Sequence, residues 1–139
     1  MEQRGISPFH VILLAIIFDP KERKILIAKR GDKDEDIKNL RWQFPEGRLR
    51  KGDDIDAVLK TKIKEKTGLE IENLGAVFSK VFSEKEDILA IYYLCEAVGG
   101  KEKPANDFTK LKWVSPKELE KHFTTSFHPN LKEYLLNIG

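Results

Sequence analysis

The run FHVILLAIIFD, residues 9–19, constrains this chain more than any other segment. Its middle is apolar and β-branched without a break, so as a strand it has no face to give to water. Such a strand belongs inside a sheet that is covered on both sides. The apolar stretch itself, Val11–Phe18, is far too short to cross a bilayer and lacks the small-residue cleavage site of a secretion signal. The chain must therefore supply further strands beside it and helices above and below it.

The rest of the sequence offers both. KILIAKR follows the turn DPKER with alternating polarity and reads as a hairpin partner. GDKDEDIKNL, residues 31–40, reads as a charged loop. Asp54–Thr67 carries Ile55, Val58, Leu59 and Ile63 at spacings of three and four, the stripe of an amphipathic helix. Asp53 or Asp54 is placed to cap its start, and Gly68 supplies a left-handed stop. LGAVFSKVFS and ILAIYYLCEAV flank EKED as a long β-hairpin, and KLKWVS is a further short strand. PKELEKHF and HPNLKEYLLNI read as helices with Pro116 and Pro129 near their starts. No repeat or linker interrupts the chain. The expectation is an α/β fold in one domain over residues 1–139, a mixed β-sheet flanked by helices.

Charge and cysteine usage narrow the function classes. The 25 basic and 23 acidic side chains leave a net charge of +2, too balanced to draw nucleic acid by bulk attraction, so an anion site has to be local. Cys95 is alone, which rules out a disulfide within the chain and fits a reducing, cytoplasmic setting. It lies in the apolar run Ile88–Val98, where a buried inert thiol is expected. His10, His122 and His128 have no zinc-ligand spacing with Cys95 or with one another.

The segment from WQFPEG to EKTGLEI holds the chemistry. Gly47 and Gly68 are 68 − 47 = 21 positions apart, with the amphipathic helix between them and a W-V-S-P-K-E-L junction downstream. In this the chain resembles the Nudix domain, whose box runs G-x5-E-x7-R-E-U-x-E-E-x-G-U, U being aliphatic. Gly47 falls on the first glycine, Asp53 on the first Glu, Ile63 and Leu69 on aliphatic positions, Glu65 on the first Glu of the pair, and Gly68 on the last glycine. The resemblance implies a Nudix-like α/β/α sandwich. It also implies pyrophosphate chemistry, with Mg²⁺ held by carboxylates at i, i+3 and i+4 of the helix, an Arg bracing them, and a backbone carbonyl at the glycine turn. WQFPEG further resembles the branch that acts on dinucleoside polyphosphates and RNA 5′-triphosphates.

The box departs from that pattern at its acids. Thr61 stands at the bracing Arg, and Lys62 and Lys66 replace two of the three helix carboxylates. Two readings of KTKIKEK stand side by side: a solvated helix face of Lys–Glu pairs, or ammonium groups that take the place of metal and bind phosphate directly. On the second reading Lys62, Lys66, Arg48 and Arg30 contact phosphate. Gly47, Asp53 and Glu65 are the residual metal positions, Glu65 is the one box residue able to help activate water, and Mg²⁺ binds weakly or not at all. Arg50 adds positive charge beside the glycine turn, and Trp42 is either a hydrophobic wall or a stacking surface for a base.

The partner expected is a nucleotide-like small molecule such as a nucleoside diphosphate derivative, with no membrane and no nucleic acid beyond an RNA 5′ end. Pyrophosphate hydrolysis is weak or lost. Two alternatives remain open at this point. One is a working Mg²⁺-dependent pyrophosphohydrolase using loop acids among Glu46, Glu84, Glu86, Asp87 and Asp107; the other is a non-catalytic protein-interaction module. The oligomeric state is not legible.

Overall fold

The computed structural model describes residues 8–30, 42–82, 87–123 and 129–138. Glu84, Glu86, His128, the loop 31–40 and the tip of the long hairpin lie outside these residues. The strands are β1 (His10–Asp19), β2 (Lys24–Arg30), β3 (Trp42–Gln43), β4 (Glu46–Leu49), β5 (Leu69–Val81), β6 (Ile88–Gly100) and β7 (Phe108–Val114). The helices are α1 (Ile55–Thr67), a short α2 (Leu119–His122) that continues a 3-10 turn at Pro116–Glu118, and α3 (Pro129–Ile138).

β1 occupies the centre of the mixed sheet, as its unbroken apolar run requires. It runs parallel to β6 from His10↔Ile88 to Phe18↔Glu96. On its other edge it meets β2 only beside the turn, at Phe18↔Ile25 and Asp19↔Lys24, and then takes β4 from Val11↔Leu49 to Leu14↔Glu46. The hairpin expected between β1 and β2 therefore forks, and β2 goes on to pair β7 along one edge and β3 along the other. This fork presents β4, and with it Gly47, to the helix layer.

Alternation along β1 splits the core in two. Leu13, Ala15 and Ile17 pack with Leu26, Tyr93, Cys95 and the α1 residues Leu59 and Ile63. Leu14 and Ile16 pack on the opposite face with Ile25, Ile27, Phe44, Tyr92, Leu119, Leu131 and Leu135. Helices thus cover both faces, the sandwich expected from the sequence. Each fully buried Leu or Ile contributes about 1.5–3 kcal/mol to this arrangement. Burial pushes the Cys95 thiol up to about 12, with Asp56 adding to the rise, so the side chain is inert.

Two expectations need correcting. β5 begins at Leu69, immediately after the helix stop, rather than at Leu74. Leu69 and Ile71 turn inward under α1 while Glu70 and Glu72 face water, a period of two that the glycine stop obscures. Gly47 is not in a turn: it lies within β4, paired with Leu13, and the turn that leads into α1 is Arg50–Asp53 with Gly52 at φ 87°. No helix among the described residues is long and apolar enough to cross a membrane.

Candidate functional site

Two local devices set α1 against β4. At its start Asp54 accepts a hydrogen bond from the Ala57 amide at 3.0 Å. At its end Gly68 adopts φ 79° and its N–H bonds the Lys64 carbonyl. A side chain at Gly68 would also strike the Lys101 carbonyl oxygen, so this stop admits nothing but hydrogen. Gly47 does the equivalent work in β4. A Cβ there would lie 2.8 Å from Lys62 Cγ, 3.0 Å from Lys62 Cβ and 3.4 Å from Val58 Cγ1, so only glycine lets the helix come this close to the strand. Gly47→Ala is expected to push α1 outward and to cost on the order of 1–3 kcal/mol, read as a lower midpoint in denaturant titration.

Between β4, the Arg50–Asp53 turn and α1 lies a cleft of about 460 Å³, lined among others by Glu46, Arg48, Arg50, Asp53, Lys62 and Lys66. Its acids are occupied. Asp53 Oδ2 accepts from the Arg50 amide at 2.8 Å, Asp54 caps the helix, and Glu46 Oε1 accepts from Gln43 Nε2 at 2.7 Å. Its bases are freer. Arg48 and Arg50 make no side-chain hydrogen bond or ion pair among the described residues, and Lys62 makes only a 3.6 Å pair with Glu65. Strand alternation sends Arg48 to the face of β4 opposite Gly47, so it reaches the cleft from the rim.

Lys66 differs from its neighbours. Its side chain is 14% exposed against 42% for Lys62. The ammonium donates to the Glu46 carbonyl oxygen at 2.9 Å, lies over the Phe108 ring at 5.5 Å, and stands 3.9 Å from Asp107 Oδ1. The loop that brings Asp107 there is stitched to the end of α1. The amides of Lys101, Lys103 and Ala105 bond the carbonyls of Gly68, Thr67 and Lys66. Asp107 Oδ2 accepts from Arg30 Nη2 at 2.9 Å, whereas Oδ1 is buried without a hydrogen-bond partner among the described residues. At 3.9 Å the contact of Oδ1 with Lys66 is Coulombic, too long for a hydrogen bond.

The residues singled out from sequence thus divide. Gly47, Arg48, Asp53, Lys62 and Lys66 share the cleft. Glu65 does not line it. It is half exposed beside Lys62 and borders a separate open depression with Lys60, Lys64, Glu70 and Glu72. Arg30 is engaged by Asp107 and is likewise absent from the cleft wall. Trp42 is half-buried, with Lys29 Nζ 5.8 Å from its ring and His122 against its edge. Asp87 lies 3.8 Å from His10, away from the cleft. Sequence reasoning missed the Glu46 main-chain oxygen and Phe108, neither of which carries a signal in residue type; they are set by how the loop 101–107 closes on α1.

The sequence profile of the NUDIX domain matches residues 8–135. A MutT-like protein from Streptomyces ambofaciens is 22% identical over 134 residues, covering 95% of this chain and 81% of that protein. Among solved structures, the MutT protein of Methanosarcina mazei superposes with a TM-score of 0.72 at 14% identity, covering 95% of this chain and 94% of the other. An ADP-ribose pyrophosphatase from Streptococcus suis gives 0.69 at 20% identity, with coverage of 94% and 90%. At these identities the structures share the fold with this chain.

Proposed function

The chain belongs to the Nudix family, and on that premise we propose that it recognises the phosphates of a nucleoside diphosphate derivative, or of a related phosphate-rich small molecule, with pyrophosphate hydrolysis weak or lost. The observation that carries this reading is the Lys66 ammonium on the Glu46 carbonyl oxygen. Nudix hydrolases generally use a divalent metal such as Mg²⁺, and the residues here do not fit one. Such an ion needs converging oxygen ligands. Among the described residues no three His, Cys, Asp or Glu side chains converge, and two of the helix positions that would supply carboxylates carry Lys62 and Lys66.

The cleft suits an anion instead. Arg50 offers a planar fork of donors, and Lys62 and Lys66 offer ammonium charge, while Asp53 and Asp54 are held by backbone amides. Among the described residues no cluster of acids converges to hold a metal and activate its water, so charged donors of this kind bind phosphate oxygens without cleaving the ligand. The neighbour named as an ADP-ribose pyrophosphatase makes ADP-ribose the natural first probe. The lone buried Cys95 fits a cytoplasmic setting for such a ligand.

Thermal melts with ADP-ribose test the reading, run with Mg²⁺ and with a chelator, and followed by chromatography for products. The expected result is a rise in melting temperature that persists in chelator, falls with added salt, and leaves the ligand intact. Rapid Mg²⁺-dependent cleavage would restore the working hydrolase as the better reading. No shift with ADP-ribose or with other nucleoside diphosphate derivatives would favour the interaction module.

A further inference from the structure

We infer that Lys66 is the resident cation of this cleft, a covalently tethered ammonium in a seat built for a cation, and that the ligand is therefore taken as a metal-free anion. The inference rests on the phosphate-binding reading above and adds the form in which the ligand binds. Three independent groups define the seat. The Glu46 carbonyl oxygen accepts from Nζ at 2.9 Å, the Phe108 ring presents its face at 5.5 Å, and Asp107 Oδ1 is buried within 3.9 Å with no hydrogen bond of its own. A carbonyl dipole, an aromatic face and a carboxylate oxygen all favour positive charge.

An ammonium has three N–H donors, and Glu46 uses one. The others remain for a phosphate oxygen entering from the cleft, so Lys66 bridges protein and ligand oxygens as an ion would, with a single charge. Arg30 acquires a different role in this arrangement. It holds Asp107 Oδ2 at 2.9 Å and so fixes which carboxylate oxygen faces the seat, a positioning residue rather than a contact to phosphate.

Emptying the seat should create a site for free cations. The full chain, Lys66→Ala and Lys66→Ala with Asp107→Ala are melted in tetramethylammonium buffer while methylammonium is titrated in. Lys66→Ala should start lower than the parent and rise saturably with this cation. The parent and the double variant should not shift. A flat response in Lys66→Ala, or an equal rise in the parent, overturns the inference. If Lys66→Ala does not fold, reductive methylation of the unaltered protein read by mass spectrometry decides. Lys66 should react more slowly than Lys62, and Asp107→Asn should raise its rate towards that of Lys62; equal rates in the unaltered protein overturn the seat. The two proposals fail separately. Loss of ADP-ribose binding in chelator removes the phosphate reading, whereas these titrations use no phosphate ligand.

Discussion

Replacing Arg50 and Lys62 together by alanine should weaken the binding of ADP-ribose, or of whichever nucleoside diphosphate derivative the melts identify, by about a hundredfold or more. Each charge-assisted hydrogen bond to a phosphate oxygen contributes roughly 1.5–3 kcal/mol, and losing two reaches that factor. The folded state should hardly notice. The Arg50 side chain makes no hydrogen bond or ion pair among the described residues, and the Lys62–Glu65 pair is half exposed, where such pairs are worth at most about 1 kcal/mol. Alanine at position 62 also keeps the Cβ that packs over Gly47. Calorimetric titration of the double variant, beside a melting curve, measures both quantities. Arg48→Ala serves as the comparison. Its approach from the rim should make its effect smaller and more sensitive to salt. Unchanged affinity in the double variant would leave KTKIKEK as a solvated helix face.

The structure also shows why some of this site could be read from the chain and some could not. The buried β1 run, the α1 stripe and the Gly68 stop each depend on neighbours within a few residues, and periodicity reports such relations directly. The 21-residue interval from Gly47 to Gly68 likewise survives as spacing, because one glycine lets α1 meet β4 and the other ends α1. The cation seat has no such signature. Arg30 and Asp107 are 77 residues apart, and their ion pair exists only because β7 pairs β2 while the loop before it hydrogen-bonds the end of α1. Lysine at position 66 is visible in the sequence; that its ammonium is mostly buried on a main-chain oxygen is not. Position on a helix face similarly failed to separate Lys62, which lines the cleft, from Glu65, which borders the next depression.

Restoring acids at the two lysine positions should turn the chain into one whose stability depends on a divalent cation. In Lys62→Glu with Lys66→Glu, the side chain at 66 would place a carboxylate beside the Glu46 carbonyl oxygen and Asp107 Oδ1, where the ammonium now sits. Losing the charged donor to the Glu46 carbonyl costs about 1.5–3 kcal/mol, and the new acid adds repulsion from that oxygen and from Asp107, for a total on the order of 3 kcal/mol. Two carboxylates introduced in the second half of α1 also oppose the helix dipole. Without metal the melting temperature should therefore drop by roughly 10 °C, taking about 3–4 °C per kcal/mol for a domain of this size. Mg²⁺ reverses the sign of every one of these contributions. Acids at 62 and 66, with Asp107 and the Glu46 carbonyl, offer the oxygens that the parent lacks, so added Mg²⁺ should raise the melting temperature of the variant and leave the parent unmoved. Neither position contributes to the buried stripe of Leu59 and Ile63, so the core should be preserved. Thr61→Arg would then supply the brace, and the triple variant is the form in which Mg²⁺-dependent cleavage of ADP-ribose should be sought. A double variant that melts identically with Mg²⁺ and with chelator would show that the seat of Lys66 cannot be refitted for a metal.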